Sequence, residues 1–300
     1  MTTTAAKPKG PKITAIAPWF GSKRTLAPRI VKELGKHASY FEPLCGSCSV
    51  LLAKDLTPFE TVNDFHGDLV NLARVLKCED TAIDLYSRLM PNLMVEKLFH
   101  EAAERYRGRG ITPATDEPDV DRAADYMTCS WHGRNGVAGT SSYNQGFCIR
   151  YTKNGGHAAK RWHSVVASIP EWHERLRNVT ILNRDGIDLL GRWEDSPGCV
   201  IYCDPPYLVK GAKYVHDFTS DDHNRLAESL KRFRKTRVVV SYYDHPLLTE
   251  LYPPGRWTKV QCPTTKALVN QGMRDEKGSV KAPEVLLING PSYTEGGMFK

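Results

Sequence analysis

The chain has 300 residues and a formal net charge of +7, because 41 lysines and arginines stand against 34 aspartates and glutamates. Hydrophobic residues make up 41% of the sequence and charged residues 25%, a composition typical of globular proteins that excludes a wholly disordered chain. No uninterrupted apolar stretch approaches the ~20 residues that span a bilayer, so we expect no membrane partner.

The first residues and the cysteines are typical of a cytoplasmic protein. Residues 1–12 are predicted to form a flexible basic tail, and they lack the apolar stretch and cleavage site of a secretory signal. The eight cysteines are therefore expected to be reduced thiols rather than disulfides. Cys45 and Cys48 have the spacing of a metal-binding pair, but a closed zinc site needs a second pair, and Cys199 and Cys203 lie in a predicted core strand. We predict no metal site.

Helices and strands alternate in the next part of the chain. A helix is predicted over residues 22–36 and a strand over 40–43. A turn of small residues leads to a helix at 50–53, and a strand edge follows at 61–64. Apolar residues at helical spacing predict a further helix over 69–76. This alternation favours a mostly parallel sheet flanked by helices.

The alternation is lost in the middle of the chain and then resumes. Residues 81–107 are predicted to be helical, and 108–121 to form a linker rich in Pro, Thr and acidic residues. No Asp or Glu occurs between Asp125 and Glu171. That stretch carries the basic residues Arg134, Arg150, Lys153, Lys160 and Arg161 among glycine- and asparagine-rich loops.

Strands are predicted again at 179–182, 199–203, 238–241 and 284–289, with a helix at 221–235. One α/β domain interrupted by an insertion explains this pattern better than two domains in series. We place the sheet domain at 13–77 and 171–300, and the insertion at 78–170.

The first candidate site follows the strand that ends at Glu42. A small-residue turn between a strand and a helix lets the backbone approach a nucleoside cofactor closely. Asp64 lies 22 residues after Glu42, about where an acid would bind the ribose hydroxyls of a cofactor. Gly46 is the one glycine of this turn, so an ordinary turn between strand and helix is the alternative.

The second candidate site is Asp204-Pro205-Pro206-Tyr207, directly after a predicted buried strand. Two prolines cannot continue a central strand, and they stiffen the loop. The Asp204 carboxylate and the Pro205 carbonyl are both acceptors, and together they suit the two hydrogens of an amino group. The Tyr207 ring next to them can stack on a planar base. This is a site for the exocyclic amine of a flipped nucleobase, and a proline-rich turn with a capping Asp is the alternative.

Several motifs in this order resemble those of the DNA adenine-N6 methyltransferases. They are PWFGSK at 18–23, FEPLCGS at 41–47, VND at 62–64 and DPPY at 204–207. The resemblance covers about residues 15–290 without most of the insertion, and it is to the subgroup whose cofactor motifs precede the catalytic motif. It implies a Rossmann-like methyltransferase sheet with an inserted, mainly helical and loop, target-recognition segment. It also implies S-adenosylmethionine as cofactor.

The resemblance further implies a set of cofactor-binding residues: Trp19, Lys23, Glu42, Gly46, Asp64, Asp185 and Asp204. The Lys23 ammonium would pair with the carboxylate of the methionine part, Asp64 would bind the ribose, and Asp185 would lie near the adenine. Ser22 and Cys48 stand where the family usually has glycine. Both are small, so we expect them to be tolerated, with weakened cofactor binding as the alternative.

The chemistry of adenine assigns the catalytic residues Asp204, Pro205 and Tyr207. The N6 lone pair is delocalised into the ring, and acceptors that draw its hydrogens out of the ring plane raise the electron density on nitrogen. The sulfonium methyl is already activated, so in-line positioning supplies much of the remaining acceleration. No metal or covalent intermediate is needed.

The expected macromolecular partner is double-stranded DNA, with no obligatory protein partner. The five basic residues of the acid-free stretch suit phosphate neutralisation and base-edge recognition, and a structural cap over the active site is the alternative. Methylation of cytosine N4 is a neighbouring hypothesis, although the resemblance favours adenine, because in the family Asp at the first position of the tetrapeptide goes with adenine and Ser is commoner for cytosine. A DNA-binding protein that has lost catalysis is a third, against which the retention of Lys23, Asp64 and Asp204 argues.

Overall fold

The computed structural model describes residues 11–19, 21–92, 94–133, 146–148, 157–208, 216–262, 264–265 and 281–295. The strands are β1 (Ser39–Glu42), β2 (Phe59–Asn63), β3 (Thr180–Leu182), β4 (Cys199–Cys203), β5 (Arg237–Tyr243), β6 (Thr258–Gln261), β7 (Thr264–Thr265), β8 (Lys281–Ala282) and β9 (Glu284–Ile288). Seven of them form one sheet in the order β3-β2-β1-β4-β5-β9-β6, and β7 pairs with β8. The strands predicted from the sequence are confirmed to within a few residues at their ends.

The order of the strands places the two candidate sites side by side. β1 to β5 run parallel, and β9 is antiparallel to both of its neighbours. The chain fills one half of the sheet from β1 through β2 to β3 and then crosses back to β4, which pairs with β1. Ligands of open α/β sheets bind where the strand order reverses, outside the carboxyl ends of the strands. The predicted Rossmann-like fold class is confirmed.

Helices cover both faces of this sheet. In chain order they are α1 (Ala27–Leu34), α2 (Ser49–Ala53), α3 (Gly67–Lys77), α4 (Glu79–Leu89), α5 (Glu96–Arg109), α6 (Val120–His132), α7 (Ala158–Val166), α8 (Ile169–Leu176), α9 (Gly186–Arg192), α10 (Ser220–Lys231) and α11 (Leu248–Leu251). Side chains alternate along the strands, so that Tyr40 and Tyr202 pack on one face while Phe41 and Ile201 pack on the other. None of the helices in the described ranges is long and apolar enough to span a membrane.

One expectation about the middle of the chain is wrong, and a second is right except at its two ends. The helix predicted over 81–107 is interrupted between α4 and α5, because Pro91 follows α4 and cannot continue a helix. The predicted linker at 108–121 contains the end of α5 and the start of α6, and its centre is bound to α3. Gly67 at the start of α3 lies so close that a Cβ there would be 2.0 Å from the Thr112 carbonyl oxygen.

The described helices of the insertion share a core with the sheet domain. Tyr126 of α6 and Trp162 of α7 are buried in the same apolar cluster as Val62 of β2 and Leu72 of α3. The cluster therefore crosses the boundaries that we drew at 77 and 171. The division into a catalytic domain and a target-recognition domain stays a prediction.

Candidate active site

Asp204 begins the loop that leaves β4, and two side chains hold its carboxylate. Oδ1 accepts a hydrogen bond from Ser241 Oγ at 2.6 Å, and Oδ2 lies 2.8 Å from Lys23 Nζ. The Lys23 side chain is only 4% exposed, and its ammonium also donates to the Gly21 carbonyl at 2.7 Å. Solvent screens such a largely buried ion pair only weakly. The orientation of Asp204 is fixed as a result.

Tyr207 lies in the same group of side chains. Its hydroxyl donates to Glu284 Oε1 at 3.4 Å, its ring centroid is 4.3 Å from that of Tyr243, and Lys23 Nζ lies 4.9 Å from its centroid. Burial raises the pKa of Glu284, and the nearby Asp204 adds to the rise, while Lys23 opposes it. Glu284 is not among the site residues predicted from the sequence, although an acid that opens an otherwise apolar strand was a visible signal.

The second group of candidate residues lies after the neighbouring strands β1 and β2, where Asp64 contacts the turn around Gly46. Asp64 Oδ2 accepts from the Gly46 amide at 2.8 Å, and Oδ1 accepts from the His66 amide at 2.9 Å. Burial raises the pKa of Asp64, and these backbone hydrogen bonds lower it. The structure thus brings Asp64 and Gly46 together, as their placement at the ends of neighbouring parallel strands predicts.

Trp19 packs directly on this turn. Gly46 has a φ of 46°, and a Cβ there would lie 3.0 Å from Trp19 Nε1, so glycine permits the close approach of the indole. Cys45 and Cys48 flank Gly46 with their sulfurs 3.8 Å apart. No cluster of three or more His, Cys, Asp or Glu side chains able to hold a metal occurs in the described part of the chain.

Glu42 and Asp185 have other contacts. The Glu42 side chain accepts a hydrogen bond from the Tyr40 hydroxyl at 2.8 Å, and the residue is 2% exposed. Burial raises the pKa of Glu42 to about 8. Asp185 caps α9 by accepting from the amides of Ile187 and Asp188. Neither carboxylate is therefore free of protein partners.

Asn63 joins the loops around this site, a role that the sequence analysis did not assign. Its side-chain amide donates to the Pro43 carbonyl at 2.8 Å and to the Arg184 carbonyl at 2.9 Å. Its oxygen accepts from the Arg184 amide at 2.9 Å. Gly186 approaches so closely that a Cβ there would be 2.5 Å from the Pro43 oxygen. Asn63 therefore brings the Asp185 loop against the loop after β1.

The predicted DNA-contacting residues are only partly within the described ranges. Arg134, Arg150 and Lys153 lie outside them. Lys160 and Arg161 are exposed on α7. The Arg161 guanidinium makes a cation–π contact with Trp131 and lies 5.0 Å from the centroid of that ring.

The same edge of the sheet thus carries a set of groups that fits a zwitterionic nucleoside. It offers carboxylates at Asp64 and Asp204, an ammonium at Lys23 and an aromatic ring at Trp19 over a glycine turn. The family is shown by a protein-family model: the model of the D12 class N6 adenine-specific DNA methyltransferases matches residues 19–265. The chain belongs to this family.

The D12 methyltransferase is similar to curated bacterial DNA adenine methylases. It is 27% identical over 246 residues to the Retron Ec67 DNA adenine methylase of Escherichia coli, covering 80% of this chain and 81% of the relative. It is 25% identical over 249 residues to the DNA adenine methylase of Escherichia coli strain K12, covering 80% and 84%. A solved precorrin-6y C5,15-methyltransferase from Geobacter metallireducens matches with 9% identity and a TM-score of 0.34, covering 88% and 84%, and has no weight in the assignment.

This D12 methyltransferase is therefore an adenine-N6 DNA methyltransferase, as its motifs predict. Membership of the family implies a methyl donor of the S-adenosylmethionine type and DNA as the substrate. The cytosine-N4 alternative is not favoured.

Proposed function

We propose that the enzyme binds S-adenosylmethionine in the crevice between the loops after β1 and β4, and that it methylates an adenine flipped out of double-stranded DNA. The observation that carries the proposal is the placement of Asp204 and Lys23 beside the Asp64–Gly46 turn, where the strand order of the sheet reverses. When bound, S-adenosylmethionine supplies a methyl group on a sulfonium, which needs no further activation.

Lys23 has the capacity to bind the cofactor while it holds Asp204. An ammonium has three hydrogens, and within the described ranges Lys23 directs two of them to Asp204 and to the Gly21 carbonyl. The third suits the carboxylate of the methionine part. The Asp64 carboxylate accepts from the backbone amides of Gly46, His66 and Phe65, and a carboxylate has about four lone-pair sites, so among the described residues it keeps capacity for a ribose hydroxyl.

Asp204 and Pro205 bind the target amine. Each Asp204 oxygen already accepts one contact, from Ser241 or Lys23, and each retains a second lone pair for an N6 hydrogen. The Pro205 carbonyl accepts the other hydrogen. As the bond from N6 to the methyl carbon forms and the bond from that carbon to sulfur breaks, the nitrogen gains positive charge, and these preoriented acceptors stabilise it without having to reorganise. The surplus N6 proton would pass by way of Asp204 to solvent, and the cofactor would leave as the neutral thioether.

Tyr207 stacks on the flipped base and replaces part of the stacking that the base loses on leaving the duplex. Extrusion costs a few kcal/mol, and an aromatic side chain returns about 1–3 kcal/mol per stacked base. The hydrogen bond to Glu284 and the packing against Tyr243 fix the ring in place before the base arrives.

The segment 78–170 is proposed to recognise the DNA, and the protein to act in the cytoplasm. Lys160 and Arg161 are exposed cations on α7, in a stretch of sequence without acids, which supports phosphate contact there. Arg134, Arg150 and Lys153 complete the proposed set.

The proposal is tested by incubating the purified protein with methyl-labelled S-adenosylmethionine and duplex DNA of mixed sequence, then digesting the DNA to nucleosides. We expect the label in N6-methyladenine and in no cytosine derivative, and we expect single-stranded DNA of the same sequence to be a poorer substrate. Label in N4-methylcytosine would contradict the adenine assignment. DNA binding without any transfer would identify a protein that has lost catalysis.

A further inference from the structure

Three serine hydroxyls form a closed triangle under the proposed cofactor site. Ser22 Oγ lies 3.2 Å from Ser47 Oγ and 2.8 Å from Ser49 Oγ, and the last two are 2.9 Å apart. Ser47 and Ser49 are 2% and 4% exposed. The triangle joins two separate segments, because Ser22 belongs to the loop before α1, whereas Ser47 lies in the turn after β1 and Ser49 is the first residue of α2.

A triangle of hydroxyls satisfies all of its members only when it is complete. Each hydroxyl has one hydrogen to donate, so in a ring of three each donates once and accepts once. Removing the Ser22 hydroxyl leaves two hydroxyls sharing a single contact, and one buried donor loses its partner. Leaving a buried donor unpaired costs more than a hydrogen bond contributes on average.

The two segments that the triangle joins are those that carry the proposed ligand groups. Lys23 follows Ser22 directly and reaches Asp204 from this loop. Gly46 precedes Ser47 directly, and its amide is held by Asp64. A shift of one segment against the other would change the separation between the Lys23 ammonium and the Asp64 carboxylate. These are the groups that we assign to the two ends of the cofactor.

We propose that Ser22 is a positioning residue that locks the Lys23 loop to the Gly46 turn and so presets the cofactor site. The inference rests on the proposed function of that site. Ser22 stands where the family usually has glycine, and by this inference the serine strengthens cofactor binding in this chain rather than weakening it. Ser22→Ala and Ser22→Gly are expected to raise the Kd for S-adenosylmethionine about tenfold, with kcat at saturating cofactor changed by less than about threefold.

The experiment measures cofactor binding by titration calorimetry and methyl transfer in parallel. Its variants are Ser22→Ala, Ser22→Gly, Ser49→Ala and the double variant Ser22→Ala/Ser49→Ala, each checked for folding by its thermal midpoint. Because one triangle is broken either way, the double variant should bind about as weakly as the weaker single one. Ser87→Ala is the control, since that hydroxyl back-bonds to the Ile83 carbonyl on the exposed side of α4.

The outcomes separate this inference from the proposed function. A lowered thermal midpoint with an unchanged Kd in Ser22→Ala makes Ser22 merely structural and overturns the inference alone. Additive effects of the two alanine substitutions on Kd also overturn it, because independent sites would then be involved. A wild-type protein that does not bind S-adenosylmethionine overturns both.

Discussion

The carboxyl edge of the sheet and the inserted helices are held in place by different kinds of contact. At the edge, Asp64 is fixed by amides of the adjacent turns, and Asp204 by two side chains. In the insertion, Arg122 of α6 pairs with Asp68 of α3 at 2.6 Å, with both side chains nearly buried. The Asp204 side chain at the edge keeps 21% of its surface exposed, whereas the insertion is anchored by buried charge that faces the protein.

The largest expected effect is on catalysis at the edge. Asp204→Ala removes the acceptor for the target amine, and we expect methyl transfer to fall by about a thousandfold or more, with DNA affinity retained. Single-turnover methylation and filter binding measure the two properties. Asp221→Ala, an exposed acid in the first turn of α10, is the control. Turnover near that of the wild type would remove Asp204 from the mechanism.

The next effect is on stability, at the anchor of the insertion. Arg122→Met leaves Asp68 buried without its cation and also frees the Thr112 and Pro113 carbonyls, to which Arg122 donates at 2.7 and 2.8 Å. Breaking a buried pair in this way costs about 3–5 kcal/mol of the free energy of unfolding, measured in urea.

Arg88→Met is the matched control for the buried anchor. Its pairs with Asp84 and Asp121 are exposed, so it should cost less than about 1 kcal/mol. Equal losses in the two variants would mean that the buried pair does not anchor α6.

The same contrast explains which parts the sequence predicts. Gly46, Asp64 and Asp204 follow strands, and parallel strands put their carboxyl ends at one edge, so order along the chain is enough to bring them together. Arg122 and Asp68 are 54 residues apart, and no local pattern connects them. The break before α5 was visible in Pro91 but was outweighed by the helical pattern on both sides.

The triangle of Ser22, Ser47 and Ser49 could likewise not be predicted from the order of residues along the chain. Serines in a loop, a turn and the start of a short helix carry no periodic signal, so their contact follows only from how the loop before α1 packs on the segment after β1. Glu284 is intermediate: its strand was predicted, but its approach to Tyr207 depends on the pairing of β9 with β5.

The carboxyl edge of the sheet and the insertion each contain a buried histidine, and we expect both histidines to destabilise the folded protein at acid pH. Burial lowers the pKa of His66, at the start of α3, and of His132, at the end of α6, to about 4 each. The pKa of a histidine in the unfolded chain is about 6.5. Between pH 6.5 and 4 the unfolded chain therefore binds more protons than the folded protein, and the free energy of unfolding decreases as the pH is lowered. The loss is complete below pH 4.

Glutamine variants test this dependence one region at a time. His66→Gln and His132→Gln should each reduce the loss of unfolding free energy between pH 7 and 5 by about 1–2 kcal/mol relative to the wild type. The difference between variant and wild type is the relevant quantity, because Glu42, with its raised pKa, contributes the opposite slope between pH 4.5 and 8. A slope unchanged by both substitutions would show that neither histidine is held neutral.

A smaller effect is expected from the exposed cations of the insertion. Lys160→Gln/Arg161→Gln should weaken DNA binding about tenfold at low salt and reduce the slope of log affinity against log salt by about two, since each phosphate contact contributes about 0.9. Arg234→Gln/Lys235→Gln, an exposed basic pair after α10, is the control. If that control weakens binding as much, the DNA lies on the other side of the sheet.

The smallest expected effect concerns backbone strain at Cys48, in the turn after β1. Cys48 has a φ of 58°, in the left-handed region that costs a residue with a Cβ about 1–2 kcal/mol, whereas glycine adopts it freely. Cys48→Gly loses the burial of the sulfur but relieves the strain, so its unfolding free energy should stay within about 1 kcal/mol of the wild type.

Cys48→Ala is the matched variant, because it loses the same sulfur and keeps the strain. We therefore expect the glycine variant to be the more stable of the two in urea, which is also the usual order of these residues at a helix N-cap, the position that Cys48 occupies before α2. The reverse order would mean that packing of the Cβ, rather than backbone conformation, decides which residue this turn accepts. The turn after β1 would then depend on side-chain packing, as does the apolar cluster that the inserted helices share with the sheet.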